Sequence, residues 1–179
     1  VDLKIKRLNN NAVVPEYAHA TDAGFDLMAT KDVIIEPGET VRVPTGLAFD
    51  VPKGYEIQIR PRSGVTSKTK LRVQLGTVDA GYHGEVDVIV DNLSDNPFGN
   101  VSRYINFVDG TELRQDKNIP DGTYLIRKGD KIAQAVLAPI TYANFIEVDT
   151  FDESERGEKG FGSTGVNDDT TDYIARSYE

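Results

Sequence analysis

Short runs in which apolar and polar residues alternate make up most of the chain. Val1–Leu8 alternates, Lys31–Glu36 runs into the turn Pro37-Gly38, Thr40–Val51 is a strand pair broken at Pro44-Thr45-Gly46, and Tyr55–Ile59 keeps its apolar residues on one side. Leu71–Leu75, Val86–Val90, Tyr124–Arg127, Ile132–Pro139 and Phe145–Val148 continue the pattern. Successive side chains of an extended chain point to opposite faces, so each run predicts a strand with one face toward a core. Glycine, proline, asparagine and aspartate between the runs supply turns. No segment keeps a helical period for more than about ten residues, and a turn or two after Ser63 is the best helical candidate. Many short strands separated by turns predict an all-β subunit, a jelly-roll-like barrel or sandwich.

A length of 179 residues fits one domain with a core of its own. The absence of cysteine excludes disulfides, zinc–thiolate sites and a cysteine nucleophile, and fits a reducing compartment. With only His19 and His83, a histidine-based metal cage has little to draw on. There is no leader-like segment and no apolar run of about 18 residues, so a soluble cytoplasmic protein is expected. The net charge of −9 argues against general affinity for nucleic acid or an anionic membrane. It also repels a polyphosphate at long range. Any phosphate site therefore has to be a local cluster of Arg, Lys and backbone N–H groups, assisted by a divalent cation.

Five stretches carry candidate chemistry. Gly76–Val86 (Gly-Thr-Val-Asp-Ala-Gly-Tyr-His-Gly-Glu-Val) reads as a β-hairpin lining a site: its glycines turn the chain and let a flat ring reach backbone N–H and C=O groups, and it holds Asp79 and Tyr82. Thr21–Met28 sets Asp22 and Asp26 around Gly24, and alone reads as a strand entered through a turn. Arg60–Thr69 fails the Walker pattern, since Ser67 precedes Lys68 and Arg62 stands in place of the first glycine. Arg62, the Ser63 hydroxyl and N–H groups at a helix start suit an anion, as they also suit a solvated basic turn. Gly129–Pro139 leads from a turn into a strand in which Gln134 shares a face with Ile132 and Val136, so its amide needs a partner, structural or on a ligand. Arg156–Gly165 gathers glycines around Phe161 and reads either as a disordered tail or as a lid.

In their order along the chain these stretches resemble the five motifs of the trimeric dUTPase family, over most of residues 1–166. The resemblance implies a jelly-roll subunit in a homotrimer that hydrolyses dUTP to dUMP and pyrophosphate with Mg²⁺, each site being built from three chains. It gives Asp79 the task of orienting and deprotonating the attacking water. Tyr82 would lie under the deoxyribose and leave no room for a 2′-hydroxyl, and Asp26 would hold Mg²⁺ through water. Arg62, Ser63 and Gln134 would meet the phosphate chain, with Gly64 and Gly76 offering backbone to the substrate. Arg156, Gly162, Ser163 and Thr164 would close on the γ-phosphate, with Phe161 stacked on uracil. Uracil shows acceptor, donor and acceptor on its pairing face, which a strand edge can match, whereas cytosine would set donor against donor.

The chain also departs from the family. Asp79 and Gln134 lie 55 positions apart, farther than in the compact cellular members, and the extra residues fall within about 92–122. Phage-encoded members from bacteria with Gram-positive walls resemble it in carrying such an insert, which would place the protein in the cytoplasm of a bacterial host. Tyr104, Ile105, Phe107 and Val108 either dock another protein or pack on the subunit's own wall. Val73 stands where cellular members often have Asn, which shifts base reading onto the backbone. The expected division is a dUTPase domain over 1–155 and a glycine-rich lid with an acidic tail over 156–179. Two other functions compete: a deoxycytidine triphosphate deaminase of related fold, against which the complete Gly76–Val86 stretch and glycine-rich tail speak, and a dUTP-gated regulator that binds a protein through the insert.

Overall fold

The computed structural model describes residues 1–154 and 157–158. Arg156, Phe161, Gly162, Ser163, Thr164 and the acidic tail therefore lie outside the described residues. The chain divides into two units, Val1–Thr141 and Tyr142–Glu179.

The first unit holds strands β1 (Lys4–Arg7), β2 (Phe25–Met28), β3 (Val33–Ile35), β4 (Thr40–Pro44), β5 (Leu47–Asp50) and β6 (Tyr55–Pro61), then the short helix α1 (Ser63–Lys68). Strands β7 (Leu71–Val73), β8 (Gly76–Val78), β9 (Asp87–Asn92), β10 (Val101–Phe107), β11 (Glu112–Pro120), β12 (Tyr124–Ile126) and β13 (Lys131–Pro139) follow. One sheet has the order β2-β13-β6-β8, a second β4-β9-β7, a third β11-β10-β12-β3, and β1 pairs with β5. Most partners are distant in sequence: the chain crosses from sheet to sheet before it returns, which is the jelly-roll-like all-β architecture that the alternation predicts.

Alternation also decides what is buried. In β2, Phe25 and Leu27 point inward and Asp26 and Met28 outward; in β6, Ile57 and Ile59 point inward and Gln58 and Arg60 outward. Leu27, Ile57 and Ala133 of the first sheet meet Val43, Leu71 and Val88 of the second, Ile35 and Ile126 of the third, and Phe49 of β5 in one core. Among the described residues no helix is long and apolar enough to cross a membrane.

Four sequence expectations are corrected. Gly76–Val86 is not a hairpin: β8 pairs with β6, whereas β9 pairs with β4 and β7. The loop between them is captured before it can turn back, because Val86 N–H donates to Leu47 O at 2.8 Å and the Thr45 hydroxyl donates to Val86 O at 2.6 Å. Thr40–Val51 does give two strands, but they do not pair with each other. Gly46 separates them with φ +67, where a Cβ would come within 2.6 Å of the Asn9 side chain. Phe145–Val148 forms no strand and leaves Phe145 and Ile146 exposed. Gln134 does not share the face of Ile132, because β13 is bulged between Lys131 and Ala133.

Residues 92–122 form a ribbon in which β10 and β11 are antiparallel and the end of β10 runs parallel to β12. Its base is pinned by Asn92, fully buried, whose amide donates to Ile35 O at 3.0 Å and Gly122 O at 2.9 Å and accepts from Ser94 N–H at 2.9 Å. Ile105, Phe107 and Val108 are buried, while Tyr104 is half exposed. Most of the apolar set thus packs on the subunit's own wall. The turn is held by Asp109, whose carboxylate accepts from the Thr111 hydroxyl and amide and is kept below the usual carboxylate range by them. Arg127 reaches the same turn, over the Phe107 ring at 4.2 Å and toward Asp109 at 3.4 Å.

Candidate functional site

Two clusters of the expected residues form on the first sheet. The first is cationic. Outward-facing Asp26 on β2 stands opposite Gln134 on β13, and Gln134 stands opposite Arg60 on β6. Two residues beyond Arg60 the chain turns into α1, whose start places Arg62, Ser63 and Gly64 beside these strands. Arg62 pairs with one Asp26 carboxylate oxygen and Lys131 Nζ with the other, the latter at 2.8 Å. The Gln134 amide donates to Pro61 O at 2.9 Å, which fastens β13 to the chain entering α1. Its partner is therefore a backbone carbonyl. Gly24 leaves room for this side chain, since a Cβ there would stand 3.2 Å from Gln134 Oε1 and from Ala135 O.

The second cluster is a cavity of about 310 Å³ that includes Gly76, Thr77, Val78, Asp79 and Tyr82 in its lining, with Arg42 and Asp87. β8 is the last strand of its sheet, so its outer edge leaves backbone N–H and C=O groups without a strand partner, an arrangement that suits a flat hydrogen-bonding ring. Val73, on β7, is buried and offers no polar group there. Asp79 is exposed where β8 ends, and its carbonyl accepts from Tyr82 N–H at 3.2 Å, closing a turn that Gly81 completes at φ +95. Tyr82 folds over Gly84 and its hydroxyl donates to Glu85 O at 3.0 Å. The Glu85 carboxylate in turn accepts from Gly46 N–H at 2.8 Å. On the other side of the loop, His83 meets Asp50 at 3.3 Å, and Lys4 meets Asp50 at 3.1 Å. The hydrogen bonds from Lys4 and then His83 hold the Asp50 carboxyl below its ordinary range.

Among the described residues no hydrogen bond or ion pair joins the two clusters. One chain thus carries a cationic cluster and a cavity beside a free strand edge, and the expected lid residues lie outside the described residues. Lys131 belongs to the cationic half and was absent from the expected set; a regular strand starting at Ile132 would have left it in the turn.

Among the described residues no group of three His, Cys, Asp or Glu side chains gathers to hold a metal. The one carboxylate of the cationic cluster, Asp26, has its two oxygens paired with Arg62 and Lys131, so it would hold Mg²⁺ only through water and with ligand phosphates completing the shell, as Mg²⁺ keeps several of its waters.

The dUTPase family model matches residues 10–102 and 117–165, which include all five motif stretches. The deoxyuridine 5′-triphosphate nucleotidohydrolase of Nautilia profundicola is 42% identical, over 91% of this chain and 98% of its own. A variant of the Staphylococcus bacteriophage 80alpha dUTPase with dUpNHpp superposes with a TM-score of 0.87 at 38% identity, covering 92% of this chain and 99% of its own. A variant of the dUTPase of phage phi11 of S. aureus, which coordinates a structural Mg(II) ion, superposes at 0.81 with 36% identity, covering 84% of this chain and 99% of its own.

Proposed function

The chain belongs to the dUTPase family, and from that premise we propose that the two clusters are halves of one site brought together by neighbouring subunits of a homotrimer. The reaction is hydrolysis of dUTP to dUMP and pyrophosphate with Mg²⁺ as cofactor. The observation that carries the division of labour is that Asp79 and Tyr82 share a cavity with the free edge of β8, while Asp26, Arg62, Lys131 and Gln134 gather without a bond to them.

In this reading the edge of β8 at Gly76 reads the uracil ring, and Tyr82 packs under the deoxyribose. Asp79 orients a water in line with the α-phosphorus and takes its proton as the bond to the departing pyrophosphate breaks. Arg62, the Ser63 hydroxyl and the Gly64 backbone hold the phosphate chain, and Gln134 fixes the strand beside them. Asp26 would hold Mg²⁺ through water; when bound, the ion offsets charge on the phosphates and on the leaving pyrophosphate. Arg156, Ser163 and Thr164, with the Gly162 backbone, close on the γ-phosphate, and Phe161 covers the base. Phosphoryl transfer needs positioning and electrostatics rather than a covalent nucleophile, which suits a chain without cysteine. The proposed location is the cytoplasm, of a bacterial host if the gene is phage-borne.

Subunit mixing tests the shared site. Asp79→Asn and Arg62→Ala trimers, each impaired alone, are expected to regain about a quarter of the wild-type rate when dissociated and reassembled together at equal amounts, from random assortment of the two halves. A site contained within one chain would regain nothing.

A protein partner at residues 92–122 is a second reading, favoured by the exposure of Phe98, Val101, Tyr104 and Leu113 around the β10–β11 ribbon. If dUTP gates it, linkage requires the partner to weaken dUTP binding by the same factor. Capture of a partner that is unaffected by deleting residues 101–118 would remove this reading.

A further inference from the structure

The bulge in β13 changes which residue faces the cationic cluster. Leu27 stands opposite Ala133, and a regular ladder would next set Met28 opposite Ile132. Met28 instead stands opposite Lys131, with Ile132 as the extra residue. Ile132 turns fully into the core, and Lys131 joins the outward face that carries Asp26, Met28 and Gln134. An unbroken two-residue period would put Lys131 on the same side as Ala133 and Ala135, which are both buried. The bulge is what aims this ammonium at the Asp26 carboxylate, and re-aiming one side chain is a recurrent use of bulges beside functional sites. It is held in place by the preceding turn, where Ala29 N–H donates to Asp130 O at 3.0 Å and Gly129 N–H to Ala29 O at 2.8 Å.

The charges give the placement a purpose. Asp26 and Arg62 form a neutral pair; Lys131 adds a second uncompensated positive charge to that of Arg60, in a chain whose net charge is −9. A structural role alone explains little, because the Lys131 side chain is 46% exposed and ion pairs this open contribute little stability. Arg62 is less exposed, at 30%, and its planar fork is fixed in direction. Lys131 carries a compact charge on a flexible stem and is the cation free to swing.

Building on the dUTPase reading, we propose that Lys131 is a phosphate-binding residue: it makes the cluster attractive to a triphosphate, then passes from Asp26 to the β- and γ-phosphate oxygens, leaving the Asp26 carboxylate to the hydrated Mg²⁺ that arrives with them. The exchange moves ion pairs only, so no bond is made or broken. It also assigns Lys131 to discrimination by phosphate number, since dUMP lacks the β- and γ-phosphates that Lys131 would hold.

Calorimetric titration of the assembled wild-type, Lys131→Met and Lys131→Arg proteins with a non-hydrolysable dUTP analogue and with dUMP tests this. Lys131→Met keeps the stem and removes the charge. It is expected to weaken the analogue by about 10–100-fold, the scale of a lost charge-assisted contact, while changing dUMP affinity by less than about twofold. Lys131→Arg should recover most of the loss. Unchanged analogue affinity in Lys131→Met, or equal losses for dUMP and analogue, would overturn the assignment. Wild-type protein that binds neither ligand would overturn the dUTPase reading and this assignment with it.

Discussion

Asp79→Asn is expected to lower the rate of dUTP hydrolysis by about 10²–10⁴-fold, the usual range for a lost general base, with affinity for a non-hydrolysable dUTP analogue retained. The geometry gives both halves of this expectation. Asp79 stands exposed at the end of β8, in the lining of the same cavity as Tyr82. Among the described residues its carboxylate makes no ion pair and no hydrogen bond; only its backbone carbonyl is engaged, by Tyr82 N–H. A carboxylate without a structural partner is free to accept a proton from water, and its loss removes no bond that holds the loop. Asparagine keeps the shape and lacks the basicity. Single-turnover rates beside equilibrium binding separate the two effects, and a variant that hydrolyses dUTP at the parent rate would remove Asp79 from the role of base.

Gly84→Ala is expected to raise the UTP-to-dUTP ratio of kcat/KM by about 10–100-fold, because a shaped pocket rejects an added hydroxyl by about that much. The reason is the seat of Tyr82. A Cβ on residue 84 would stand 2.5 Å from Tyr82 Oη and 2.6 Å from its Cζ, so the ring has to leave the position from which its hydroxyl donates to Glu85 O. In the proposed site that ring occupies the space a 2′-hydroxyl would need. Tyr82→Ala removes the ring outright and should change the ratio in the same direction. If Tyr82→Ala relaxes sugar selection and Gly84→Ala does not, the seat on Gly84 is unnecessary to it; if neither does, Tyr82 is not the sugar check.

The strands were legible wherever one face is buried, because a two-residue period is a local property: Phe25 and Leu27 of β2 and Ile57 and Ile59 of β6 point inward as the alternation requires. Which strand pairs with which is not local. Gly76–Val86 has the composition of a hairpin, and nothing within it records that Thr45 and Leu47, some forty residues earlier, capture Val86 and send β9 into another sheet. The face of Gln134 was misread for a related reason, since a bulge adds one residue to the count and inverts every side chain before it. That inversion hid Lys131. The convergence of Asp26, Arg62 and Gln134 was expected only through the family resemblance; their spacing along the chain carries no sign of it. Phe145–Val148 alternates but has no strand partner among the described residues, and alternation alone does not make a strand.

Pyrophosphate release with Mg²⁺ from dUTP, dCTP, dTTP and UTP, measured side by side on the wild-type protein, addresses the whole site at once. A backbone edge at β8 that reads uracil and a Tyr82 ring that excludes the 2′-hydroxyl predict turnover of dUTP far above that of dCTP and UTP, while dTTP, which shares the pairing face of uracil, is set apart only by its 5-methyl group. Comparable release from dCTP or UTP would contradict the site described here.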